Sequence, residues 1–300
     1  MARRAAKALG VALVAVAVGL AGFSCYVSYR MLHPKRGPPS ELPSKYGLSY
    51  INVTFHSRDG VLLRGWYIPG ETDAAVILVH GLHSRKEKLL PLAAELNKAG
   101  FSILMFDLRA HGESEGEYTT FGLREVLDLL GALDYLLNRT DVSPEKIGVV
   151  GFSMGGSVAI EGAGASERFK AVVADCPYAT FTGAVDYGFS EFTGLPSFLL
   201  KDMIVFFGEM ASGIELDDIR PVDYAAKMRP EQALFIICSK GDRIVDYRDG
   251  LLLYEKSTCS RDRKLLWVDE DAPHCGIFKQ HPEEYVRRVA EFLRANLLGG

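Results

Sequence analysis

Six short runs in this chain are apolar at nearly every position: Ala74–Val79, Phe101–Phe106, Ile147–Val150, Ala171–Ala174, Ala233–Cys238 and Leu265–Val268. A strand with one wet face alternates polar and apolar residues, so runs without alternation belong to strands buried on both faces. Most are separated by segments of helical period. After Phe106, Val126, Leu129, Leu130, Leu133, Leu136 and Leu137 fall on one helix face. Strands alternating with helices dictate a parallel sheet covered on both sides. Ahead of them, Ile51, Val53 and Phe55 alternate, Asp59-Gly60 turns the chain, and Leu63 to Tyr67 returns as a hairpin partner. The expected fold class is therefore α/β: a mostly parallel, doubly wound, eight-stranded sheet with an antiparallel leading hairpin. Three hundred residues, 48% of them apolar, are enough to bury such a core in one domain or two.

In sheets of this kind, sites form beyond the carboxyl ends of the strands. His80, Asp107, Ser153, Asp175, Asp242 and His274 all stand at or just after expected strand ends. Ser153 lies in Gly151-Phe152-Ser153-Met154-Gly155, between an apolar strand and a run of small residues that opens a helix. A G-x-S-x-G turn in that position is sharp enough to exclude side chains at its glycines and to lift the serine hydroxyl off the sheet. A serine hydroxyl is a poor nucleophile at neutral pH; it requires a base in hydrogen-bond reach and a carboxylate to orient that base. Asp242 and His274 follow later strands and meet that need. Asp175 is an alternative acid, its other role being to accept backbone N–H bonds below the site. Asp246 reads as a helix cap, and His281 as solvated. His80, His83 and His111 serve either as structural groups, the favoured reading, or as a second base or metal ligands.

The net charge of −4 and the lack of a basic stripe argue against a nucleic-acid partner. Five cysteines without a C-x-x-C pair give no support to a metal site and read as buried thiols rather than a disulfide framework. Residues 1–36 hold an apolar stretch from about Leu9 to Leu32, preceded by Arg3, Arg4 and Lys7. Tyr26, Tyr29 and Arg30 at its end suit an interfacial belt, so a single-pass membrane anchor is expected, with an extracytoplasmic catalytic domain. A cleaved signal followed by secretion is the alternative. Residues 37–48 read as a proline-rich linker without a packed element. Residues 49–300 form the catalytic domain, interrupted at about 178–230 by an insertion dense in phenylalanine and methionine, expected to be a helical lid over the serine with its apolar side chains as pocket wall.

Between about Tyr50 and Leu297 the chain resembles the α/β-hydrolase superfamily, closest to its small esterases and prolyl-oligopeptidase-like hydrolases. The stretches that carry the resemblance are LVHGLHS, FDLRAHGESEG, GFSMGG, ADCPY, GDRIV and APHCG, in that order. The resemblance implies Ser153 as nucleophile, Asp242 as orienting acid, His274 as general base, and the backbone N–H groups of Leu82 and Met154 as oxyanion donors. It implies no cofactor or metal, and a small-molecule carboxylic ester as substrate, attacked through an acyl-enzyme. A prolyl-oligopeptidase-like peptidase is the second reading, weakened by the missing propeller domain. A tethered binding protein without activity is the third, opposed by the intact order of serine, acid and histidine.

Overall fold

The computed structural model describes residues Met1–Gly299, the Ala2 side chain excepted. Its strands are β1 (Ile51–His56), β2 (Leu62–Ile68), β3 (Ala75–Val79), β4 (Ser102–Phe106), β5 (Ile147–Phe152), β6 (Phe169–Asp175), β7 (Ala233–Ser239) and β8 (Lys264–Asp269). They form one eight-stranded sheet in the order β1-β2-β4-β3-β5-β6-β7-β8. β1 and β2, and β2 and β4, pair antiparallel; every later pair is parallel. The expected class and the antiparallel start are both present.

The reason the strands read as unbroken apolar runs is visible in β3. Ala75, Ile77 and Val79 enter one core, while Ala74, Val76 and Leu78 enter the core on the opposite face. Among the described residues the α-helices are α1 (Ala2–Leu32), α2 (Leu90–Lys98), α3 (Glu125–Leu137), α4 (Met154–Ala165), α5 (Phe181–Thr193), α6 (Ser197–Ser212), α7 (Pro221–Ala225), α8 (Tyr247–Lys256), α9 (Ile277–Gln280) and α10 (Pro282–Arg294). α3, α4 and α8 close the first core with Leu129, Leu133, Val158 and Leu253, and α2 and α10 close the second with Leu92, Leu96, Tyr285 and Val289. β8 departs from the expected pattern. As an edge strand it leaves Leu265 and Leu266 exposed. The segment from Lys86 starts as a 3-10 turn, Lys86–Leu89, before α2 proper.

Two buried ion clusters fix the long loop after β4. Lys86, 1% exposed, binds Asp107 at 2.5 Å and Glu113 at 2.8 Å. Arg109 spans Asp128 at 2.7 Å and Asp59 at 2.8 Å. Together they hold the stretch carrying His111, which packs edge-on against His80 with ring centroids 4.9 Å apart.

The proline-rich segment 37–48 corrects the expectation of an unpacked linker. Gly37 N–H donates to the Gly112 carbonyl, Ser40 to the Glu87 carboxylate, and Pro43–Tyr46 forms a 3-10 turn with Pro43 and Leu48 buried. Proline fixes backbone angles that suit a turn as well as a free extended chain, so composition alone did not separate the two.

α1 is long and apolar enough to cross a membrane. It is exposed as far as Gly19, and then meets the domain at Leu20, Ser24, Val27, Ser28, Met31 and Leu32, one face of a helix.

Candidate active site

β5 runs into α4 through a turn that only glycines tolerate. A Cβ on Gly151 would lie 2.0 Å from the Gly155 carbonyl oxygen, and one on Gly155 would lie 2.3 Å from that of Val79. Ser153 sits between them at φ 53°, ψ −121°. Its N–H donates to the Asp175 carbonyl at 2.7 Å, which ties the strained turn to β6. The non-glycine residues with positive φ, among those described, are His83, Ala110, Phe121, Ser153, Cys176 and Cys275. All lie in loops that follow β3, β4, β5, β6 or β8, so backbone strain is concentrated beyond the carboxyl ends of the strands.

Ser153, Asp242 and His274 come together there. His274 Nε2 is 2.8 Å from Ser153 Oγ, and His274 Nδ1 is 2.6 Å from Asp242 Oδ2. The other Asp242 oxygen accepts the N–H groups of Ile244 at 2.8 Å and Val245 at 3.0 Å, which leaves one lone-pair face for the imidazole. With neutral His274, Nδ1 donates to Asp242 and Nε2 is free to accept from the Ser153 hydroxyl. Burial is the largest single influence and opposes the charged imidazolium, but the hydrogen bond to Asp242, the Cys176 sulfur and the Asp242 charge together outweigh it and hold His274 above its ordinary value. The hydrogen bond with Cys275, and then burial, push the neighbouring Cys176 thiol well up, so it stays neutral and the carboxylate is the charge that matters.

Leu82 belongs to the loop after β3, and Met154 opens α4. The preceding Gly81 is pressed against the elbow, its Cβ position 3.1 Å from the Phe152 carbonyl and 3.2 Å from Ser153 Cβ. Met154 N–H is at the first turn of a helix, where no intrahelical carbonyl is available to it.

The other sequence candidates are placed elsewhere. The Asp175 carboxylate receives the Tyr285 hydroxyl at 2.8 Å, and burial raises it to about 6. It is the main-chain carbonyl of Asp175, not its side chain, that holds the site from below. His80 Nε2 accepts Leu108 N–H at 3.0 Å, so its proton sits on Nδ1, bonded to the Gly81 carbonyl at 2.8 Å; burial lowers it to about 4. His111 accepts His83 N–H at 3.2 Å, and His83 Nε2 meets the Met31 carbonyl at 2.8 Å. These three imidazoles therefore brace the Leu82 loop. Asp246 caps α8 through Arg248 N–H, and half-exposed His281 lies 3.4 Å from Asp269.

Sequence spacing missed the pair Cys176 and Cys275, each one residue beyond a strand-end candidate. With His274 they place three possible ligand atoms within 4.8 Å of one another. Both His274 nitrogens are already bonded, to Asp242 and Ser153, and both thiols are pushed up by their surroundings. A metal held there would have to dismantle that hydrogen-bonded chain, so this donor set does not fit a resident ion.

Above Ser153 lies a largely apolar cavity of about 430 Å3. Phe181, Phe189 and Phe192 of α5 and Ile204 of α6 form one wall, with Phe121 and Ile244 at the sides. The remaining wall was not foreseen: Ser28, Met31 and Leu32 of α1 line the same cavity as Ser153 and His274. Part of the stretch 178–230 thus lines the same cavity as Ser153, while Phe198, Phe206 and Met210 are exposed.

The family profile described as "Alpha/beta hydrolase family" matches residues 76–288. The chain is 30% identical over 237 residues to the uncharacterized protein YqkD of Bacillus subtilis, covering 78% of this chain and 76% of that one. It is 36% identical over 139 residues, 44% of each chain, to the thiohydrolase aneE of Aspergillus aculeatus. Among solved structures, the Pyrococcus furiosus esterase Pf2001 superimposes with TM-score 0.76 and 33% identity, covering 90% of this chain and 99% of that one. Sheet order, elbow geometry and these likenesses agree: the chain belongs to the alpha/beta hydrolase family and is a hydrolase.

Proposed function

We propose that this protein is a serine hydrolase that cleaves carboxylic esters through an acyl-enzyme, tethered to a membrane by α1. The observation that carries the reading is the hydrogen-bonded chain Ser153–His274–Asp242 at the floor of an apolar cavity. Ser153 Oγ attacks the acyl carbon while His274 Nε2 takes its proton. Negative charge gathers on the former carbonyl oxygen, where the N–H groups of Met154 and Leu82 receive it; each such donor lowers the barrier by about 3 kcal/mol. His274 then returns the proton to the departing alcohol. Water enters, gives a proton to His274 and attacks the acyl carbon, and the carboxylic acid leaves as Ser153 recovers its proton. Asp242 keeps the imidazole in the tautomer that accepts from serine and stabilises the imidazolium between the two halves.

The test is a graded series of p-nitrophenyl esters on the full chain. Ser153→Ala is expected to lower kcat/KM by at least roughly 1,000-fold across the series. Unchanged hydrolysis in that variant overturns the proposal.

A further inference from the structure

The unexpected cavity wall says where the substrate comes from. A helix of 31 residues is about 46 Å long, while a bilayer's hydrocarbon core is about 30 Å thick. The excess is the end that joins the domain. There, Ser28 Oγ donates to the Ile204 carbonyl, and Leu32 accepts Thr119 N–H at 2.9 Å. Ser28 Cβ stands 4.0 Å from the Cβ position of Gly208, so small residues on α1 and α6 let the two backbones approach closely. Tyr118, next to Thr119, bonds the Ser212 carbonyl at 3.0 Å, which brings the carboxyl ends of α1 and α6 together. The amino end of α6 therefore lies farther up α1, toward the part that is exposed and apolar.

α6 is apolar on two sides. Leu200, Ile204 and Val205 turn to α1, α5 and the cavity. Leu199, Phe206 and Met210, spaced as one outer stripe, are exposed, and Phe198 at its amino end is 90% exposed. An exposed apolar stripe of this size calls for a cover. The amino end of α6 meets α1 near Leu20, just past the exposed apolar flank of α1 from Leu9 to Val18, whose length and composition suit a bilayer.

Resting on the ester hydrolase reading, we propose that α1 and α6 form a lateral entrance and that the substrates are long-chain acyl esters resident in the bilayer. The outer stripe of α6, with Phe198, sits in the interfacial region of the membrane. An acyl chain passes from the bilayer between α1 and the lid, and settles against Met31, Leu32, Phe189 and Ile204 with its ester carbonyl at Ser153. α1 is thus a wall of the site as well as a tether.

The experiment uses the full chain reconstituted in phosphatidylcholine vesicles, with two probes: monooleoylglycerol dissolved in the bilayer and p-nitrophenyl acetate in the aqueous phase. The readout is the ratio of their turnover rates. Met31→Trp, which fills the cavity from α1, is expected to lower the ratio at least tenfold. Phe198→Ser combined with Phe206→Ser is expected to lower it at least fivefold. Wild-type protein that turns over the acetate and leaves monooleoylglycerol intact overturns the proposal without any variant, as does a ratio unmoved by both changes. Loss of turnover of both probes in wild-type protein, with no fluorophosphonate adduct on Ser153, overturns the ester hydrolase reading itself.

Discussion

Ser153, Asp242 and His274 could be picked out of the sequence because each comes within a few residues of the end of an apolar strand run, where the chain must leave the sheet. Their hydrogen bonds set a testable pH dependence. His274 must be neutral to take the serine proton, and Asp242 holds its pKa above 6.5. The acid limb of kcat/KM is thus expected to lie above that value. Asp242→Asn removes the charge that favours the imidazolium, so the limb moves down in pH while kcat falls by roughly 10,000-fold. A pH profile of both proteins checks the sign. Other residues gave no such signal. Cys176 and Cys275 meet from separate loops, and Glu161 is an ordinary glutamate in sequence. In the structure Glu161 is buried in α4 with Oε2 unpartnered, and burial raises its pKa well above 4.5. A carboxyl raised on folding costs stability once pH exceeds its unfolded value and has no effect well below it. Glu161→Gln is therefore expected to stabilise by about 1 kcal/mol at pH 7–8 and to be near neutral at pH 3.5, read by urea unfolding.

At the scale of elements, the elbow is the feature most rigidly determined. Gly155 faces two main-chain oxygens, of Val79 and His80, neither of which can swing away. Gly155→Ala is expected to cost about 3 kcal/mol, seen as a lowered Tm together with lost activity. The strands and the large helices were legible because their periods are imposed by burial. The stretch 178–230 was legible only as an insertion: α6 is apolar on two sides, so no single stripe distinguishes the inward Ile204 from the outward Phe206. For α1 the sequence showed hydrophobicity and length. That its last turns pack on α6 follows from Ser24, Ser28 and Gly208, small residues whose meaning depends on the partner helix.

Across the whole molecule, a sheet buried on both faces carries the candidate site beyond the carboxyl ends of its strands, and the strained loops there are held by buried ion pairs and braced imidazoles. The likeness to the Pf2001 esterase extends over 90% of this chain, so the two share their fold over nearly their whole length. Such a scaffold supports many reactions, and the site has to be argued from its own residues. The proposed chemistry depends on Ser153 being an activated nucleophile, its proton drawn to His274. Treating the full chain with a fluorophosphonate and mapping the adduct by peptide mass spectrometry tests this directly. The expected result is one adduct per chain on the peptide containing Ser153, formed at least roughly 1,000-fold more slowly in His274→Ala. A folded wild-type protein that takes no adduct at Ser153, or one labelled there equally fast without His274, contradicts it.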